Sequence, residues 1–168
     1  MIRLALPADL SDVFEIYMHP EVVPYLGYDA MSKDEFRKIY ENLLDSKSFF
    51  VWEDCERIKG FCCVARHAGR SKHAAYLGTF AVHPDARGNG VAKKILNQII
   101  LDLNQKGVSR VELTVLEDNS RAITFYKKYG FEVEGMIRSS FKRSHQEHYL
   151  NELYMAMLFH PLGATNEA

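Results

Sequence analysis

Residues 76 to 107 leave the chain few ways to fold, because a strand, a glycine turn and a long amphipathic helix follow one another without a break. Tyr76-Leu77-Gly78-Thr79-Phe80-Ala81-Val82 is rich in aromatic and β-branched residues and is stopped by His83-Pro84-Asp85, the pattern of a strand ending in a turn. Ala86-Arg87-Gly88-Asn89-Gly90-Val91-Ala92 follows, and from Gly90 to Lys106 the periodicity is helical. Val91, Ile95, Ile99 and Leu103 make one stripe with Ala92, Leu96 and Ile100 beside it. Lys93, Lys94, Asn97, Gln98 and Asp102 fall largely outside it. Gly107 is placed to stop the helix in the left-handed conformation.

The junction between turn and helix carries the chemistry. The first turn of a helix presents unpaired N–H groups and a partial positive charge, so it favours an anion. Gly88 and Gly90 lack a Cβ, which permits unusual dihedrals and lets a large phosphate ligand approach the backbone. Arg87 adds a cation with a planar donor fork. These features describe a pyrophosphate cradle, or else an ordinary strand-to-helix turn that needs glycines. Two other phosphate motifs are excluded. A dinucleotide fingerprint needs G-x-G-x-x-G, and Gly88-Asn89-Gly90-Val91-Ala92-Lys93 lacks the third glycine. A P-loop needs G-x-x-x-x-G-K-[ST], and no hydroxyl follows Lys93-Lys94.

Arg87-x-x-Gly90-x-Ala92, after a strand ending Val82-x-Pro84, resembles the acetyl-CoA-binding motif Q/R-x-x-G-x-G/A of the GNAT superfamily of N-acetyltransferases. Asn119-Ser120-Arg121-Ala122-Ile123-x-Phe125-Tyr126-Lys127-Lys128-Tyr129-Gly130-Phe131 is similar to that family's N-x-x-A-x-x-x-Y-x-x-x-G-F segment. The resemblance covers most of the chain at fold level and residues 76 to 159 most closely. It implies an α/β (α+β) fold with a mixed, mostly antiparallel central sheet, helices on both faces and a V-shaped splay between the central strands. It also implies acetyl-CoA as donor, CoA as product, and no metal. Backbone groups of Phe80, Ala81 and Val82 would then hold the pantetheine arm. Backbone N–H groups of Arg87, Gly88, Asn89, Gly90, Val91 and Ala92 would hold the pyrophosphate, and the Asn119 side chain would touch the cofactor. Tyr126 matches the tyrosine near the thioester sulfur, assigned in the family as general acid to the departing thiolate.

The rest of the chain reads in the same order as that fold. Ile2 to Leu6 is a short strand closed by Pro7, and Ala8 to Met18 a helix with Leu10, Val13, Phe14 and Tyr17 on one side. Residues 19 to 31, interrupted by Pro20 and Pro24, form a connection that either faces the acceptor or merely crosses the surface. Ser32-Lys33-Asp34-Glu35 is a capping box that opens a helix through about Leu44. Ser48 to Glu53 and Ile58 to Arg66 are strands joined by a hairpin turn. Arg110 to Leu116 alternates as a strand, Asn119 caps a helix that ends at Gly130, and Phe131 to Ile137 and Tyr149 to Phe159 are the last strands. Between them lies a polar segment rich in Arg, Ser, Lys and His. Residues 1 to 160 are expected to form a single domain, with 161 to 168 a flexible tail.

A length of 168 residues suffices for one core, and 47% apolar with 26% charged content is ordinary for a globular chain. A net charge of −1 gives no pull toward nucleic acid or anionic membrane, and no apolar run approaches the roughly 20 residues needed to span a bilayer. Neither is expected as a partner. The N-terminus is too short for a signal peptide, so a cytoplasmic location is expected. Cys55, Cys62 and Cys63 form neither a disulfide framework nor a four-ligand zinc site. Dimerisation is common in the family, and no interface can be read from the sequence.

For the reaction, the resemblance implies direct transfer of an acetyl group to a primary amine. Cys62 and Cys63 have no evident activating partner for covalent catalysis. Many GNAT members place a glutamate on the central strand, whereas Tyr76 to Val82 holds no carboxylate. Glu112 and Glu117 remain as bases acting through water, or as solvated strand residues. His83 is assigned to its turn, and His145 with His148 falls short of a metal site. Arg138, Lys142 and Arg143 are read as a solvated hairpin, or as attracting an acidic substrate or the cofactor's 3′-phosphate. The segment from Glu112 to Gly135 is most similar to bacterial members acting on amino acids or protein N-termini, which makes a small-molecule or peptide amine the expected acceptor. A polyamine, an aminoglycoside or a protein lysine is the alternative acceptor, and a non-catalytic CoA sensor the alternative role.

Overall fold

The computed structural model describes residues 1 to 160, so the expected tail at 161 to 168 lies outside the described residues. The elements follow the expected order: β1 (Ile2–Leu4), α1 (Leu10–Tyr17), α2 (Lys33–Asp45), β2 (Phe49–Asp54), β3 (Arg57–Arg66), β4 (Ala74–Val82), α3 (Val91–Gln105), β5 (Arg110–Leu116), α4 (Ser120–Lys128), β6 (Glu132–Phe141) and β7 (Leu150–Leu158). They fall into two compact units, one made of residues 1–64 and 78–98, the other, among the described residues, of 65–77 and 99–160.

In the first unit the strands run β1-β2-β3 and on to the end of β4, with β1, β2 and β3 antiparallel. Past β1, Ala5 N–H still donates to Phe49 O at 3.0 Å, but the following donor, Leu6 N–H, turns to the Asp9 carboxylate at 2.8 Å and opens a short 3₁₀ turn. The hairpin between β2 and β3 turns on Cys55 and Glu56, both at positive φ as a tight hairpin requires. Val13, Ile16 and Tyr17 of α1 and Phe36 and Tyr40 of α2 are buried together with Phe49, Val51 and Phe61 of the strands. The Tyr17 ring lies 4.9 Å from Phe36 and 5.7 Å from Phe61, so the core there is largely aromatic. Ser32 opens α2 with the expected capping box, its hydroxyl accepting from Glu35 N–H while the Glu35 carboxylate accepts from Ser32 N–H at 2.8 Å.

Gly60 on β3 sets how closely the neighbouring elements approach. A Cβ there would stand 2.8 Å from Ala81 O and 3.0 Å from Ile95 Cδ1. Only glycine lets β3, the end of β4 and the first turns of α3 meet at this distance.

In the second unit the order is β4-β5-β7-β6, with one parallel pair. That pair is registered only at Ala74↔Arg110, Ala75↔Val111 and Tyr76↔Glu112, whereas β5 stays paired with β7 from Arg110↔Leu158 to Leu116↔Glu152. The registered pairing of β4 with β5 ends at Tyr76↔Glu112. Val111, Leu113 and Val115 are buried, alternating with the more polar Arg110, Glu112 and Thr114. β6 extends to Phe141, past the expected Ile137, by a register shift that carries Ser139 at φ 51. Part of the polar segment expected to join the last two strands is therefore itself strand.

Candidate functional site

β4 ends in a tightly bonded turn. His83 N–H donates to Lys59 O at 2.9 Å, and its Nδ1 accepts from Asp85 N–H at 3.2 Å, confirming a turn role for this histidine. Ala86 N–H and Arg87 N–H close the 3₁₀ turn on His83 O and Pro84 O at 2.9 and 3.1 Å. The chain then passes through Gly88 at φ 79 and Gly90 at φ 74, and the first turn of α3 closes with Lys94 N–H on Gly90 O at 2.9 Å. The intervening N–H groups of Gly88, Asn89, Gly90, Val91 and Ala92 donate to no acceptor among the described residues.

A Cβ built on Gly88 or Gly90 meets nothing within 4 Å. The protein around them does not demand glycine; the backbone conformation does. What the missing side chains leave is open space beside a row of donors at a helix N-terminus, which suits a diphosphate. Arg87 departs from the expected pattern. Its N–H is already used by the turn, and its guanidinium reaches back to the Glu21 carboxylate through Nη1 and to Glu21 O through Nη2 at 3.4 Å. Just upstream, Ala81 and Val82 are buried and Phe80 half-buried, and Thr79 stands at φ 47. A β-branched residue at positive φ is strained, and such strain concentrates at functional sites.

Asn119 and Tyr126 belong to the second unit. Asn119 Oδ1 accepts from Ala122 N–H at 3.2 Å, the cap expected for α4, and its amide group donates to nothing among the described residues. Tyr126 is buried to 7% exposure, its ring 5.4 Å from both Phe125 and Phe131, and its carbonyl accepts from Phe131 N–H at 3.0 Å.

The carboxylates considered as bases are committed elsewhere. Glu112 is buried, not solvated as the alternation of β5 suggests. His67 Nε2 lies 2.7 Å from its Oε1, and Arg110 Nε donates to its Oε2 at 2.8 Å while its two Nη atoms grip Glu134. Burial alone would raise the Glu112 pKa, but the hydrogen bonds from Arg110, Tyr154 and His67 more than offset it and hold the carboxyl below its usual range. Glu117 accepts from Asn151 N–H and Nδ2 at 3.0 and 3.1 Å. Arg143, read from the sequence as solvated, is buried against Asp118 at 2.7 Å. Burial pushes the Cys62 thiol up, and that of Cys63 up to about 11, so neither is poised as a nucleophile. His145 and His148 are exposed. The signal for the Glu112 cluster that the sequence did hold was Arg110, two residues away on the same strand face.

A glycine turn at positive φ and open donors at the start of α3, in a seven-stranded mixed sheet, are the features an acyl-CoA-dependent transferase requires of its donor loop. The profile of the Acetyltransferase (GNAT) family matches residues 10–131, and the chain belongs to that family, whose members take the acetyl group from acetyl-CoA. An L-amino acid N-acetyltransferase of Escherichia coli is 38% identical over 160 residues, which cover 93% of this chain and 96% of the relative. An uncharacterized N-acetyltransferase of Methanocaldococcus jannaschii is 30% identical over 145 residues; the match covers 82% of this chain and 62% of that protein. The crystal structure of a ribosomal-protein-alanine N-acetyltransferase from Brucella melitensis superposes with a TM-score of 0.75 at 20% identity, over 95% of this chain and 99% of the other, and so shares the fold.

Proposed function

We propose that the protein transfers an acetyl group directly from acetyl-CoA to a primary amine, and that the acceptor is a free amino acid or a protein N-terminal α-amine. The observation that carries the donor half is the row of uncommitted N–H groups from Gly88 to Ala92 beside two glycines whose missing side chains leave open space. These groups hold the diphosphate of the donor, and the backbone of Phe80, Ala81 and Val82 holds its pantetheine arm. Asn119 offers a side-chain amide. Bound acetyl-CoA supplies an activated thioester carbonyl for attack by the amine.

The acceptor half rests on protonation. Near pH 7.5 an α-amine with a pKa near 8 is about a quarter neutral, whereas a lysine near 10.4 is neutral only about one time in a thousand. Glu112 and Glu117 are tied to structural partners, and an α-amine is the acceptor that least needs a base. The similarity to the Escherichia coli L-amino acid acetyltransferase supports the same choice. Tyr126 serves as the acid that protonates the departing thiolate. Since a thiol with a pKa of about 8.5 already leaves fairly well, the expected contribution is near the low end of the usual range, about a hundredfold.

The test is CoA release from acetyl-CoA with free amino acids, N-terminal peptides, polyamines and aminoglycosides, using wild type, Gly90→Trp and Tyr126→Phe. Turnover with an α-amine class, abolished by Gly90→Trp and reduced about a hundredfold in kcat by Tyr126→Phe, is the expected result. Turnover confined to polyamines or aminoglycosides would overturn the acceptor assignment, and absence of acetyl-CoA binding would overturn the whole reading.

A further inference from the structure

Two turns of matching sequence meet beside the donor loop. His19-Pro20-Glu21 follows α1, and His83-Pro84-Asp85 follows β4. In each, the histidine Nδ1 accepts from the acidic residue's own N–H, at 3.1 Å in the first turn and 3.2 Å in the second. The two imidazoles stand edge to face with centroids 5.7 Å apart. The acidic positions are used differently. Asp85 has its side chain 92% exposed, with His83 Nδ1 3.8 Å from its carboxylate. Glu21 is gripped by Arg87 at both its carboxylate and its carbonyl.

Arg87 therefore sits next to a row of open N–H donors with its guanidinium turned back onto a carboxylate. A diphosphate at Gly88 to Ala92 brings additional negative charge to the same neighbourhood, and a guanidinium bonds phosphate oxygens at least as well as a carboxylate. We propose that Glu21 is a positioning residue that occupies Arg87 in the free protein and yields it to the diphosphate when the donor binds. Resting on the donor-loop reading above, this makes Glu21 a competitor of the donor, and its release leaves a carboxylate on the 19–31 segment only when the donor is in place. Val22 and Leu26 are buried in the core, so the exchange involves the Glu21 side chain and its turn while the rest of the segment stays anchored.

Competition fixes the sign of the test. Removing the Glu21 charge frees Arg87 in advance, so Glu21→Gln should bind CoA more tightly. The gain should be about 1.4- to fivefold, the range spanned by exposed ion pairs. The effect should vanish in the Arg87→Gln background, because the competition needs both partners. Titration calorimetry with CoA on wild type, the two single variants and the double variant measures this, with thermal unfolding as the check on folding. In steady state, Glu21→Gln should lower the KM for acetyl-CoA and leave kcat unchanged. A role confined to holding the turn predicts the opposite, weaker CoA binding together with a lower Tm. If wild type binds CoA and Glu21→Gln binds it equally or less tightly, the Glu21 inference is overturned and the donor-loop reading stands. If wild type does not bind CoA, both fall.

Discussion

At the scale of single residues, the glycines separate conformation from ligand binding. Gly88 and Gly107 have φ of 79 and 75, and a Cβ on either meets nothing within 4 Å. Replacing either by alanine forces a Cβ-bearing residue into the left-handed region at a cost of about 1–2 kcal/mol. Gly88→Ala and Gly107→Ala should thus lose similar stability in urea titrations. Only Gly88→Ala should weaken CoA binding, because only there does the methyl group enter the space beside the donor row. Equal CoA affinities for the two variants would remove the ligand role from Gly88. The Gly107 stop, the Ser32 box and the Asn119 cap were all legible in the sequence, since each depends on residues within three or four positions of one another. The burial of Glu112 was not legible. A charged residue on the outward phase of an alternating strand reads as solvated, and His67 and Tyr154, which bond it, are brought there by the fold. Arg87 and Glu21, 66 positions apart, were hidden for the same reason.

At the scale of elements, placement of α3 depends on β3. The helix and its glycine turn were readable from periodicity, but the reason for Gly60 in the middle of a strand was not, because the atoms that require it belong to Ala81, Val82 and Ile95. A methyl group there has backbone 2.8 Å away on one side, so the strand or the helix must shift. Overpacking of this kind costs about 1–3 kcal/mol. Gly60→Ala should show that loss in urea unfolding and should also weaken CoA binding, although residue 60 lies outside the donor turn. A variant with full stability and full CoA affinity would mean that β3 yields without moving α3. The longer β6 marks the other limit of periodicity. Arg138-Ser139-Ser140 has no strand pattern of its own, and the register shift between Ile137 and Phe141 is what keeps those residues in the strand.

At the scale of the whole molecule, both units are fastened by carboxylates whose acidity is increased by folding. In the first, Asp9 receives Arg3 through both Nη atoms, at 2.7 and 2.9 Å, and Leu6 N–H at 2.8 Å. Burial alone would raise its pKa, but these bonds bring it below the ordinary value. In the second, Arg110 lowers Glu134 directly, and Arg110, Tyr154 and His67 together lower Glu112 against the effect of burial. A carboxyl whose folded pKa lies below its unfolded value of about 4 contributes stability that is complete above that value. The contribution disappears as pH falls through the folded pKa, because the folded state must then take up protons it binds more weakly than the unfolded chain. The melting temperature should therefore be level from about pH 7 to pH 5 as far as these groups determine it, and should fall steeply below about pH 4. Asp9→Asn should remove its share at neutral pH. With roughly 2 kcal/mol for a charge-assisted bond and about 2–4 °C per kcal/mol in a chain of this size, Tm should drop by some 4–8 °C at pH 7 and by less at pH 3. Calorimetric scans of wild type and Asp9→Asn across that range decide the point. A wild-type Tm that is insensitive to acid, or an Asp9→Asn difference as large at pH 3 as at pH 7, would show that these pairs hold geometry without storing pH-dependent stability.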